Sequence, residues 1–184
     1  KVLSVLCRKR PQAMSVYINE TSGGLKLLRA MLEHLYSHSI LQIVQRLLLP
    51  HPESHRPSAE AWEDDDMPEN LFRCNWSESP EAIEYLLESL LKKPSSDGDE
   101  ELRLSEAQNA SEVLISVIQN SPLTSTTIIT LMSESILERI AIKSSQLEEG
   151  EEFLPHDSTL TCAMNVLESL VLQLGGYGSV GTVI

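Results

Sequence analysis

SEAQNASEVLISVIQ, Ser105 to Gln119, is the stretch whose reading decides the fold. Its apolar residues Ala107, Ala110, Leu114, Val117 and Ile118 recur every three or four positions, the spacing of one helical face. Ser105 followed by Gln108 reads as a capping box, which places the helix start at Ser105. Gln108, Ser111, Glu112, Ser116 and Gln119 fall on the opposite, wet face. Small residues at 107 and 110 let a neighbouring helix approach closely. The pattern returns elsewhere. Ala110, Val113, Leu114 and Ile118 have counterparts in Ala163, Val166, Leu167 and Val171, and more weakly in Ala82, Tyr85, Leu86 and Leu90. A repeated helical unit implies a stacked array in which each unit buries its face on its neighbours.

Working outward, helix signals cover most of the chain. Val2 to Leu6 is apolar and is broken by Arg8, Lys9, Arg10 and Pro11, and Pro11 opens a short helix running to Ile18. Thr21 to Gly24 reads as a turn. The apolar series Leu25, Leu28, Leu32, Leu35 continues with Ile40, Ile43, Val44, Leu47, and a break is expected at Ser37 or Ser39. Ser79, Pro80 and Glu81 mark the start of a helix reaching about Lys93. Two short helices split near Ser133 are expected over 124–132 and 134–143, although β-branched Thr126 to Ile129 also suit a strand. A last helix, capped by Asp157 and Ser158, is expected to end at Gly175 and Gly176.

The fold class is therefore all-α, a helical-repeat solenoid of armadillo- or HEAT-like stacked helix pairs. Residues 1–184 form one such fragment of a larger domain, since Lys1 is no initiator and the first residues already read as mid-helix. Residues 51–75 read as an acidic loop insertion and 144–156 as a second acidic loop. Aromatics are only 4%, and a core of Leu, Ile, Val and Ala suits helix packed on helix. The net charge of −13 is uneven: residues 1–50 carry +5 and residues 51–184 carry −18. A surface of that sign repels phosphate, which argues against nucleic acid. No apolar run approaches the roughly 20 residues that cross a bilayer, so no membrane span is expected. Cys7, Cys74 and Cys162 are odd in number and scattered, as in reduced cytoplasmic proteins.

No catalytic constellation stands out, and neither an enzyme nor a cofactor is expected. His34 and His38 have the four-residue spacing of two metal ligands on one helix face, without a third ligand nearby. Gly176, Gly178 and Gly181 match a dinucleotide fingerprint formally, but the strand that should precede it is a helix. The sequons at Asn19, Asn75 and Asn109 read as accidental, and Ser96 and Ser145 have acids three residues on, the context of a phosphorylation site.

Several blocks resemble the SAPS domain, the family of regulatory subunits of protein phosphatase 6. They are KVLSVLCRKRPQ at residues 1–12, HLYSHSILQIVQRLL at 34–48, Trp76 with the helix to Leu91, QNASEVLISVI at 108–118, and then ITLMSESILERI and DSTLTCAMNVLESLV. The Asn-Ala-Ser block is the most specific, and the order is collinear over nearly the whole chain. The two acidic loops and the tail GGYGSVGTVI depart from the family pattern. The resemblance implies a non-catalytic scaffold that binds a protein phosphatase 6-like catalytic subunit, often with an ankyrin-repeat subunit, in the cytoplasm or also the nucleus. Arg46 and Asn109 are candidate partner contacts, being hydrogen-bonding heads on apolar helices, and Asn109 is equally suited to tying helices together. Trp76 is a candidate interface anchor or a buried residue at a helix start. The alternative function is a generic armadillo- or HEAT-like adaptor without a phosphatase.

Overall fold

The computed structural model describes residues 2–21, 24–49, 74–92, 100–145 and 158–178. Among them the chain is all-α, with no strand. The helices are α1 (Val2–Lys9), α2 (Pro11–Val16), α3 (Leu25–Leu32), α4 (His38–Leu48), α5 (Pro80–Leu91), α6 (Glu100–Asn120), α7 (Thr126–Leu131), α8 (Glu134–Ser145) and α9 (Ser158–Gly178). A π turn, Tyr17–Thr21, follows α2, and a 3-10 turn, Asn75–Glu78, leads into α5.

Helix α6 is the element on which the others converge. Ala107, Ala110, Val113, Leu114, Val117 and Ile118 are all essentially inaccessible to solvent. They pack on α9, α5, α4 and α7. Two rows result: α3 lies on α5 and α5 on α7, while α4 lies on α6 and α6 on α9. The rows meet where α3 touches α4, α5 touches α6 and α9, and α6 touches α7, and α8 lies against both α7 and α9. Trp76, in the turn before α5, is 2% exposed and belongs to the same core. Its 3-10 turn packs against α4, α5 and α7.

Local rules explain most of the boundaries. Pro11 and Pro80 occupy first-turn positions, where the missing N–H leaves no bond unmade. Ser125 caps α7, its Oγ accepting from the Ile128 N–H at 3.3 Å. That helix takes the β-branched run Thr126–Ile129, because its Thr127, Ile128 and Leu131 form the buried side of a turn packed on α5. Gly24 precedes α3 with a φ of 56°. A Cβ there would also stand 3.1 Å from the carbonyl oxygen of Asn19, so only glycine fits without strain.

Several expected boundaries are corrected. Helix α6 begins at Glu100, five residues before the expected capping box. Ser105 lies inside it and donates from Oγ to the Glu101 carbonyl at 3.0 Å, the bond a mid-helix hydroxyl makes one turn back. Ser79 precedes α5, but its hydroxyl turns to Glu81 Oε2 at 2.5 Å instead of capping the backbone. This bond, with the Glu81 N–H, lowers the Glu81 carboxyl from its ordinary range. Helix α9 runs through Gly175 and Gly176 to Gly178, because helix-compatible glycines end a helix only when a left-handed residue is required. The repeat also shifts by one position: Val171 is 65% exposed and Leu170 is buried in its place. Helix α8 extends to Ser145, so the second loop does not begin at 144. Residues 50–73, 93–99, 146–157 and 179–184 lie outside the described residues, and with them most of both acidic loops, Ser96, the expected cap Asp157 and Gly181.

Leu114→Ala is expected to lower stability by about 3 kcal/mol, the cost of a fully buried leucine truncated in a helical core. Leu102→Ala, at an exposed position on the same helix, is expected to cost well under 1 kcal/mol. Urea unfolding followed by circular dichroism measures both.

Candidate interaction surface

The solvent side of α4 and α6 is polar and rich in amides, whereas α9 also exposes Met164, Val171 and Leu172. On α4 the exposed residues His38, Gln42 and Arg46 recur at helical spacing along one side. Gln45, half-buried on the flank toward α6, donates from Nε2 to Glu112 Oε1 at 3.1 Å and to Ser116 Oγ at 3.3 Å. On α6, Gln108, Glu112, Ser116 and Gln119 line up over three turns. Between α6 and α9 lies an open groove of about 630 Å³, completed by Ser111, Ile115, Thr161, Cys162 and Asn165. Ser111, expected on the wet face, is buried because its hydroxyl donates to the Cys162 carbonyl at 3.1 Å and fastens α6 to α9.

The groove's lining therefore mixes the apolar Ile115 and Cys162 with amides, hydroxyls and one carboxylate. Among the described residues, Glu112 is its only charged lining residue. Such a lining can donate and accept hydrogen bonds without commitment to one sign of charge, except at Glu112.

The residues singled out from the sequence fall in different places. Arg46 is exposed on α4, on the side that carries Gln42. Asn109 faces α4 from α6, and its Nδ2 donates to the Leu35 carbonyl at 2.6 Å. It thereby ties α6 to the turn between α3 and α4. Trp76 is buried at the start of α5, and its Nε1 meets no acceptor among the described residues. The three do not form one site. His34 lies in the turn after α3 and His38 opens α4, so they share no helix face. His34 Nδ1 is 3.5 Å from the Tyr36 hydroxyl and His38 Nε2 is 3.1 Å from Gln42 Nε2. Among the described residues no group of three metal-ligating side chains occurs. Nor is any described helix long and apolar enough to cross a membrane.

Two polar clusters brace the ends of the row. Glu106, 7% exposed, pairs with Lys92 Nζ at 3.1 Å, joining α6 to the end of α5. Arg103 donates to the Lys92 carbonyl and to Thr159 Oγ1, both at 3.3 Å, and so reaches α9. Arg139 of α8 pairs with Glu84 of α5. Near the N-terminal helices, the Asn75 N–H donates to Asn19 Oδ1 at 3.1 Å. Burial beside that junction pushes the Cys74 thiol up from 9.0 to about 11, the backbone of Trp76 opposing and the nearby Cys7 thiol adding to the shift. Burial also raises Cys7.

Sequence reasoning found the wet side of α6 but missed Gln45, Thr161 and Asn165 as its neighbours. The available signal was the run of uncharged polar residues at helical spacing on α4 and α9. No protein-family model matches the chain, and no curated protein or solved structure matches it.

Asn109→Ala is expected to cost about 1 to 2 kcal/mol, because a partly buried backbone carbonyl loses its donor, whereas Gln108→Ala on the exposed side is expected to be nearly neutral. Thermal unfolding of both variants tests this. A second expectation concerns alkali. Cys74 is held protonated in the folded chain above the pH at which the unfolded thiol ionises. Its contribution is thus complete below pH 9 and is lost as the pH rises to about 11. The urea midpoint should fall over that window, and should fall less in Cys74→Ser.

Proposed function

We propose that the chain is part of a stacked helix-pair scaffold, a SAPS-like regulatory subunit that binds a protein phosphatase 6-type catalytic subunit and directs it to substrates. The array reading is supported by the alternate-helix contacts of α3 with α5, α5 with α7 and α4 with α6, and by the pairing of α3 with α4 and of α5 with α6, whereas α9 departs from the alternation by packing on α6. In a solenoid each pair touches the next in this way. The observation that carries the phosphatase reading is the placement of the resemblance. The block QNASEVLISVI, the most family-like in the chain, makes up most of α6, the helix on which both rows converge. The other blocks follow in order on α1, α4, α5, α7–α8 and α9.

In this reading the chain itself carries no catalytic group, and the chemistry belongs to the bound metal-dependent phosphatase. Arg46 is the contact candidate that presents its side chain to solvent. Asn109 serves the partner indirectly by fixing how α6 meets α4. The compartment implied is the cytoplasm, also the nucleus, and an ankyrin-repeat subunit is a further partner.

An affinity pull-down of the full-length protein from its own cells, read by mass spectrometry, is expected to recover a protein phosphatase 6-type catalytic subunit. Arg46→Glu should reduce that recovery. Reproducible absence of a phosphatase would favour a general helical-repeat adaptor instead.

A further inference from the structure

We propose that Ser135 is a phosphorylation site, and that its phosphate draws Arg139 away from Glu84 and so frees α8 from its charged tie to α5. The proposal does not depend on the phosphatase reading.

Five Ser and Thr side chains among the described residues are exposed: Ser39, Thr124, Thr126, Ser135 and Thr161. Of these, Ser135 alone has an acid three residues on, Glu138, and Glu134 directly precedes it. Carboxylates on both sides suit a kinase whose substrate cleft is basic, and repel one whose cleft is acidic. Ser135 is the second residue of α8, just past the bend at Ser133, and its hydroxyl lies 3.3 Å from the Ser133 hydroxyl. A helix end opens more readily than a helix middle, which lets a kinase take the segment in extended form. The phosphoryl group comes from ATP. Ser135 Oγ bonds to the γ-phosphorus, the bond from that phosphorus to the bridging oxygen breaks, the hydroxyl proton passes to solvent and ADP leaves.

Arg139 decides what the phosphate does. It lies four residues on from Ser135, the spacing at which side chains on one helix meet. In the unmodified chain Arg139 pairs with Glu84 of α5, and both side chains are partly exposed. A pair of that kind adds little stability and is readily exchanged. A phosphoserine carries nearly two negative charges and three acceptor oxygens, and can hold a guanidinium through two parallel bonds. It therefore outcompetes the single Glu84 carboxylate. Glu134 and Glu138 set like charge beside the phosphate, which strengthens its demand for Arg139. Helix α8 keeps its buried Ile136 and Ile140 and its packing on α7 and α9, so it stays folded while losing the tie to α5.

The test starts with the purified full chain, an acid-directed Ser/Thr kinase and ATP, followed by phosphopeptide mapping. Phosphate is expected on Ser135, and is expected to be missing from that peptide in Ser135→Ala. The phosphorylated chain is then titrated by phosphorus NMR. A phosphoserine takes up its last proton at about pH 6, and a guanidinium beside it favours the dianion and lowers that midpoint. Arg139→Gln is expected to raise the midpoint by about 0.5, the exposed position limiting the effect. Glu84→Gln removes the competitor and is expected not to raise it. Mapping of the unaltered chain needs no variant to fold. The proposal is overturned if Ser135 stays unmodified, if phosphate goes to Ser96 or Ser145 and not to Ser135, or if Arg139→Gln leaves the phosphoserine midpoint unchanged.

Discussion

Burial of the apolar stripe of α6 is the constraint on which the rest of the structure depends. Six of its residues, from Ala107 to Ile118, are removed from water by helices on more than one side. Each large aliphatic among them contributes about 1.5 to 3 kcal/mol of transfer free energy when fully covered. The two alanines contribute differently. With no side chain beyond Cβ, they permit the near approach of neighbouring backbones, and interiors tolerate few gaps. Helices α4, α5 and α9 all pack on α6, which therefore sets most of their mutual arrangement, with α3 also joining α4 to α5 and α5 touching α9 directly.

Apolar contact is non-directional, and the register of these helices comes from polar bonds laid across the same seams. Asn109 to the Leu35 carbonyl sets α6 against the start of α4, and Gln45 to Glu112 and Ser116 sets it against the middle. Ser111 to the Cys162 carbonyl and Gln173 to the Ser121 carbonyl do the same between the α6 end of the row and α9. Sliding either neighbour by one turn would break these bonds, and each buried or partly buried group left unpaired would cost about 1 to 3 kcal/mol, the exposed Gln45–Glu112 bond costing less. Packing thus decides that the helices meet, and a few amides and hydroxyls decide where.

The sequence made the core of α6 legible, because period and composition agree there: five of the six covered residues were placed on the dry face from spacing alone. It also made Pro11 and Pro80 legible as helix starts. What it misplaced depended on neighbours. Ser105 and Ser79 carry the right side chains for caps, but their hydroxyls found a turn carbonyl and a carboxylate instead. Gly175 and Gly176 are weak helix formers, yet nothing at that point requires the left-handed turn that would stop α9. Val171 and Leu170 are equally apolar, and only the direction of α8 and α6 makes one inside and the other outside. The groove was illegible for the same reason: residues near 45, 112 and 165 become one surface only when three helices are laid side by side.

The long span of these seams has a consequence for how the chain is made. Leu35 finds its donor at residue 109, and Gln45 its acceptors at 112 and 116. A ribosome supplies the apolar sides of α3 and α4 well before it supplies the helix that covers them. During that interval Leu41, Val44 and Leu48 have no α6 to face. Nascent chains in this state are the ones that associate wrongly or recruit chaperones. The central helix is thus also the late step of assembly, and slowing translation ahead of Glu100 would prolong the vulnerable state.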